Sequence, residues 1–143
     1  MLESGAMALA VIVLAAGQGK RMHSALPKVL HPLAGRPLLA HVLDAARALK
    51  PAQILVVHGH GGAEVRAAFE GARIEWVEQA QQLGTGHALA QALPKVRSGA
   101  DVLVLNGDVP LVRTATLERL VQSSKRGLAI CTSELSSAEG YGR

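Results

Sequence analysis

The chain has 143 residues, of which 49% are apolar and only 2% aromatic, and it carries 15 Lys and Arg against 11 Asp and Glu. This length suits one domain with a substantial core. Phe69, Trp76 and Tyr141 are too few for a base-stacking nucleic-acid platform, and the cations form no block that would serve as a nucleic-acid arm.

The core must be built from Ala, Val, Leu and Ile, as in a buried parallel sheet covered by helices. The formal charge of +4 suits small anionic ligands without singling one out. Cys131 is alone, so no disulfide forms within the chain; its apolar run, Leu128 to Cys131, predicts a buried small hydrophobe. No apolar run reaches the roughly 20 residues of a membrane span. Residues 1–7 lack signal-peptide character and read as a leader, with the folded portion at 8–143. The expectation is a soluble, cytoplasmic protein.

In chain order, β-type runs alternate with helical patterns. The first strand is expected over Leu9–Leu14. Pro37 suits a first helical position before Leu38–Leu49, where apolar residues recur at Leu39, Val42, Leu43 and Ala46. Gln53–His58 is a second strand, Gly62–Phe69 a short helix and Arg73–Val77 a third strand. Thr85–Leu93 is a helix closed before Pro94, and Asp101–Asn106 a fourth strand. Thr114 can cap a helix over Ala115–Ser124, and Leu128–Thr132 reads as a fifth strand. This alternation predicts an α/β, Rossmann-like, doubly wound and mostly parallel sheet of about five strands. Ligands of such sheets bind beyond the carboxyl ends of the strands.

Three segments with chemical character lie there. The first is Ala15 to Lys28, with Gly17, Gly19, Lys20, Arg21 and Lys28. It is neither a P-loop, since Leu14 stands where the first glycine is needed, nor a dinucleotide fingerprint, since Met22 stands where the third is needed. Glycines that allow close backbone approach, followed by three cations, suit a polyphosphate. The second is Gln79 to His87: Gln79 and Gln82 can pair with the edge of a base, whereas residue types alone favour helix capping by Thr85. The third is Asn106-Gly107-Asp108. It reads equally as a turn before Pro110 and as a carboxylate placed to hold Mg²⁺ against phosphates. His58-Gly59-His60 lacks a carboxylate or thiol at the spacing that would complete a zinc site.

Taken together, these runs resemble one family. Leu14-Ala-Ala-Gly-Gln-Gly-Lys-Arg-Met22, Leu26-Pro-Lys-Val-Leu-His31 and Leu33-Ala-Gly-Arg-Pro37 are similar to the nucleotidyltransferases that activate sugar phosphates. Gln79-Ala-Gln-Gln-Leu-Gly-Thr-Gly-His-Ala88, Gly107-Asp-Val-Pro-Leu111 and Gly140-Tyr-Gly-Arg143 narrow the resemblance. It points to the uridylyltransferase domain of bifunctional N-acetylglucosamine-1-phosphate uridylyltransferase/glucosamine-1-phosphate acetyltransferase and runs from Ala8 to Arg143.

The resemblance implies the nucleotide-diphospho-sugar transferase fold and transfer of a uridylyl group from UTP to N-acetylglucosamine 1-phosphate, a cell-wall precursor step. Leu14, Ala15, Ala16, Gly17 and Gly19 would meet the nucleotide through their backbone. Arg21 and Lys28 would be the catalytic cations. Gln79, Gln82, Gly84 and Thr85 would recognise uracil, and Asn106 and Gly107 would contact substrate. Asp108 would ligate Mg²⁺, and Gly142 would line the sugar side. This chain has Asn106 where the family often has an aromatic residue.

The family domain continues past residue 143 and is followed by a trimeric left-handed β-helix. The resemblance therefore implies a portion of the enzyme with low activity and a tendency to self-associate. Cytidylyl or guanylyl transfer on the same fold, or a non-catalytic nucleotide-binding module, are the alternatives. Relatives of the first kind usually lack the Leu-Gly-Thr-Gly-His-Ala run.

Overall fold

A computed structural model describes residues 8–17, 19, 23–59, 61–124, 127–137 and 139. Four strands form one sheet: β1 (Leu9–Leu14), β4 (Gln53–His58), β5 (Glu75–Glu78) and β6 (Asp101–Asn106). Their order is β5-β4-β1-β6 and every pairing is parallel. Between β1 and β4 lie a 3₁₀ turn, Lys28–Leu30, and a small antiparallel hairpin, β2 (Pro32–Leu33) with β3 (Arg36–Pro37). The helices are α1 (Leu38–Ala48), α2 (Gly62–Ala68), α3 (Thr85–Ala92) and α4 (Thr114–Ser123).

β1 and β4 read as unbroken apolar runs because helices cover both of their faces. On one face Val11, Val13, Ile54, Val56, Leu103 and Leu105 pack against α1, α2 and α4, through Leu39, Val42, Leu43, Val65 and Leu117. On the other, Ile12, Leu55, Val57 and Val77 pack against Ala88 and Ala92 of α3. Leu39 and Leu43 are fully buried, and each contributes about 2 kcal/mol by leaving water. The sheet is therefore doubly wound, as expected, with three helices on one side and one on the other.

At the amino ends of β4 and β5 a buried amide clips the sheet to a loop. Gln53 Nε2 donates to both Glu75 carboxylate oxygens at 3.0 Å and to Lys95 O at 2.8 Å, while its Oε1 accepts from Arg97 N at 3.1 Å. This buried side chain thus has its hydrogen-bonding capacity met, as low-dielectric burial requires.

Several expectations shift. The third strand starts at Glu75 rather than Arg73, because turns around Gly71 (Ala72 N to Phe69 O, Ile74 N to Ala72 O) occupy the preceding residues. Pro37 ends the hairpin and precedes α1 instead of opening it. Thr114 is the first residue of α4, behind Arg113 in extended conformation, and makes no capping bond. Most different is Leu128–Thr132, which forms no strand. Its composition suits a strand, but a strand also needs a ladder partner and a covered face. Leu128 is 86% and Ile130 72% exposed. Cys131 is correspondingly exposed, not buried. No described helix is long and apolar enough to cross a membrane.

Candidate functional site

The carboxyl ends of the four strands lie in one row. Leu14 pairs with Val57 on one side and Asn106 on the other, and His58 pairs with Glu78. The ladder runs one residue further: Ala15 N donates to Val57 O at 2.8 Å, Gly107 N to Leu14 O at 2.9 Å and Gln79 N to His58 O at 2.8 Å. The three segments singled out in the sequence are thereby held side by side. They surround a cavity of ≈ 280 Å³, near the lower end of small-ligand pockets.

The floor is the backbone of Leu14, Ala15, Ala16 and Gly17. Ala15 and Ala16 are buried, and their small side chains keep the main chain accessible. One wall carries charge. Lys28 sits on the 3₁₀ turn, which is anchored by buried Val29. Its Nζ donates to Asp108 Oδ2 at 2.6 Å, with the two side chains 39% and 32% exposed. Gly19 packs beneath Lys28 with φ +59°, and a side chain there would meet Lys28 Cβ at 2.8 Å. Asn106 and Asp108 line the same wall. Asn106-Gly107-Asp108 forms a turn, Val109 N donating to Asn106 O at 3.3 Å, so the turn and the presentation of the carboxylate are one structure.

The opposite wall is polar and uncharged: Gln79, Gln82, Gly84 and Thr85. The capping expectation for Thr85 is not met, since Gly84 is the residue before α3 and no side chain caps that end. Thr85 is left exposed at the cavity. Gln79 is only 3% exposed, and its Nε2 donates to Gly84 O at 3.1 Å and meets His87 Nδ1 at 2.9 Å. Gly59, which the sequence reading passed over, matters here. A side chain on it would overlap Gln82 Nε2 and approach Ala16 O at 3.1 Å, so glycine after β4 lets Gln82 lie across the strand ends. Its position directly after a buried strand was the available signal. His87 and Gln91, four apart on α3, were likewise missed as a pair, with Gln91 Nε2 3.2 Å from His87 Nε2.

Lys20, Arg21 and Gly142 lie outside the described residues, so Lys28 is the one expected catalytic cation placed at the cavity. His58, at the end of β4, is buried against Trp76 (ring centroids 6.0 Å apart, T-shaped) and Gly62, and its Nδ1 has no partner among the described residues. Burial pushes its pKa below the ordinary imidazole value; the nearby Glu78 carboxylate opposes that shift and Arg66 adds to it. Among the described residues no three His, Cys, Asp or Glu side chains cluster to hold a metal.

A larger cavity of ≈ 580 Å³ lies along β6, between α4 and residues 127–131. Among the described residues its lining is mostly apolar, and Asp101 is its charged member.

Comparison with known proteins agrees with this fold. The profile of the MobA-like NTP transferase domain matches residues 11–139. The bifunctional protein GlmU of Dechloromonas aromatica is 58% identical over 133 residues, which are 93% of this chain and 29% of that protein. This chain thus spans under a third of that relative's length. Among solved structures, Rv0371c of Mycobacterium tuberculosis superposes with a TM-score of 0.71 at 30% identity, covering 82% of this chain and 60% of that one. The same protein in complex with manganese gives 0.70 at 28% identity, over the same shares of the two chains. A match over residues 11–139, on a parallel sheet whose strand ends carry the site, means that this chain belongs to the MobA-like NTP transferase family.

Proposed function

We propose that this chain is the nucleotide-binding portion of a uridylyltransferase that takes UTP and N-acetylglucosamine 1-phosphate to UDP-N-acetylglucosamine and pyrophosphate. The observation that carries the reading is the division of one cavity into a charged wall, Lys28 with Asp108, and an uncharged amide wall, Gln79 with Gln82. A nucleoside triphosphate has that polarity. The identity to GlmU of Dechloromonas aromatica supports uridine and the amino-sugar phosphate as its substrates.

The chemistry needs no protein nucleophile, because a phosphate oxygen of the sugar phosphate is already ionised and attacks the α-phosphorus in line while pyrophosphate leaves. The protein positions and neutralises. The backbone of Leu14 to Gly17 and the nearby Gly19 let the triphosphate lie close to the chain. Lys28, joined by Arg21, binds its oxygens and offsets the charge that builds on the leaving pyrophosphate. Gln79, Gln82, Gly84 and Thr85 hold the base, Asn106 and Gly107 border the nucleotide, and Gly142 belongs to the sugar side.

A divalent cation fits the donor set. Asp108 is a partly exposed carboxylate that already holds a cation, the Lys28 ammonium. With no cluster of three ligands among the described residues, phosphate oxygens and water would complete the coordination, which Mg²⁺ accepts. Bound there, Mg²⁺ would supply charge neutralisation on the phosphate oxygens. The manganese complex of Rv0371c supports a divalent ion in this family.

The test is calorimetric titration of the 143-residue chain with UTP, CTP and GTP in the presence of Mg²⁺, with a pyrophosphate-release assay in parallel. Preference for UTP is the expected result. Preference for CTP or GTP would replace the uridylyl reading with another transferase, and UTP binding indifferent to Mg²⁺ and to Asp108→Ala would replace it with a non-catalytic module.

A further inference from the structure

We infer that His87 is a positioning residue that sets which end of the Gln79 amide faces the cavity, and so biases the site between the two pyrimidines. The inference rests on the uridylyl reading above and adds to it a residue that does not line the cavity.

The argument begins at Gly84. Its carbonyl faces Gln79 at 3.1 Å, and only an N–H can sit there, so the inner end of the amide is Nε2. Nε2 has two hydrogens. The second points to His87 Nδ1 at 2.9 Å, which makes Nδ1 the acceptor and places the ring proton on Nε2. Gln91, one turn further along α3, has its Nε2 3.2 Å from His87 Nε2; a ring with its proton on Nε2 accepts nothing there, so this contact plays no part in the orientation of Gln79. Both hydrogens of the Gln79 amide are thus taken, one by Gly84 O and one by His87 Nδ1.

The consequence lies at the other end of the amide. Gln79 is 3% exposed and lines the cavity, and its Nε2 end is turned to Gly84 and His87; among the described residues its Oε1 accepts no bond. Oε1 therefore opens on the cavity as an acceptor. A glutamine free to rotate its amide pairs equally with a donor or an acceptor. One locked with Nε2 inward offers only an acceptor. Uracil presents a donor at N3–H, whereas cytosine presents a lone pair at N3, so a locked Oε1 facing that atom favours uracil and repels cytosine. A buried polar group left without its partner is what gives such sites their discrimination.

The experiment compares UTP and CTP affinities, with Mg²⁺, for the wild-type chain, His87→Leu and His87→Asn. Leucine removes the acceptor; asparagine returns one, Oδ1, close to where Nδ1 stood. His87 is only half-buried, so both variants are expected to fold, and circular dichroism checks this. We expect His87→Leu to narrow the UTP-over-CTP ratio by about three- to tenfold, the worth of one hydrogen bond, and His87→Asn to restore it. Equal weakening of both nucleotides in His87→Leu, or no restoration by asparagine, would overturn the positioning role while leaving the uridylyl reading in place. A wild-type chain with no preference for UTP would overturn that reading and this inference with it.

Discussion

Lys28 Nζ lies 2.6 Å from Asp108 Oδ2, joining side chains 80 positions apart in the chain. One was expected at the phosphates and the other at a metal, and the two pair with each other. On the function proposed above, a phosphate and a cation would each exchange with one partner of this pair. Lys28→Ala should weaken UTP binding and lower turnover by about 10²–10³-fold, as for other charge-stabilising groups. The same variant should bind free Mn²⁺ about two- to fivefold more tightly, because the competing ammonium of a part-exposed pair is gone. Electron paramagnetic resonance titration of Mn²⁺ reads the second effect, and weaker Mn²⁺ binding would refute the exchange.

Gly59 lies under the Gln82 amide and against Ala16 O. Gly59→Ala should push Gln82 off the strand ends and reduce UTP affinity by about tenfold, with a stability loss within about 1–3 kcal/mol from the overpacked contact. Calorimetry and thermal melting separate the two. Unchanged affinity would show that Gln82 does not meet the base.

His58 predicts an acid limb of stability. Its folded pKa lies below the ordinary value of 6.5, chiefly because burial penalises the imidazolium. The unfolded chain therefore takes up its proton first as pH falls. Stability is fully present above about pH 6.5 and is lost progressively as pH drops through the folded pKa. Urea unfolding at pH 7.5, 6.5 and 5.5 should show this decline, reduced in His58→Leu. A variant with the wild-type slope would rule His58 out as its source.

Among the described residues β6 is the last strand of the sheet, and Val102 and Val104 are 40% and 39% exposed on the face where α3 covers the inner strands but not β6. Leu128 and Ile130 stand out in solvent nearby. Uncovered edges and apolar patches associate, so sedimentation velocity should show mass rising with concentration. The double variant Val104→Lys, Ile130→Lys should return the chain toward monomer. A monomer at all concentrations in the parent chain would contradict this.

How much of this was legible in the sequence follows from the range of each interaction. β1, β4 and β6 have the bounds expected of them, since an apolar run flanked by polar or glycine residues is a local signal. The three site segments were legible for the same reason: each follows a recognisable strand. Leu128–Thr132 misled because β-propensity is local while a ladder partner is not. The Lys28–Asp108 pair spans the fold, and no spacing rule connects residues so far apart. Gln79 reads as a solvated glutamine until β5 and α3 close over it, and only then does its amide acquire a direction.

The order β5-β4-β1-β6 has a further consequence for how the site fails. Its two walls hang from the outer strands of the described sheet, the amide wall from β5 and Asp108 from β6, while the backbone floor continues the interior strand β1. Outer strands are held by one ladder and exchange their amide protons sooner than strands held by two. Fraying at one margin would displace Gln79 and Gln82; fraying at the other would displace Asp108. The floor would survive either event, so on the proposed function recognition of the nucleoside and capture of the ion would be lost separately, in an order that hydrogen exchange at β5 and β6 would reveal.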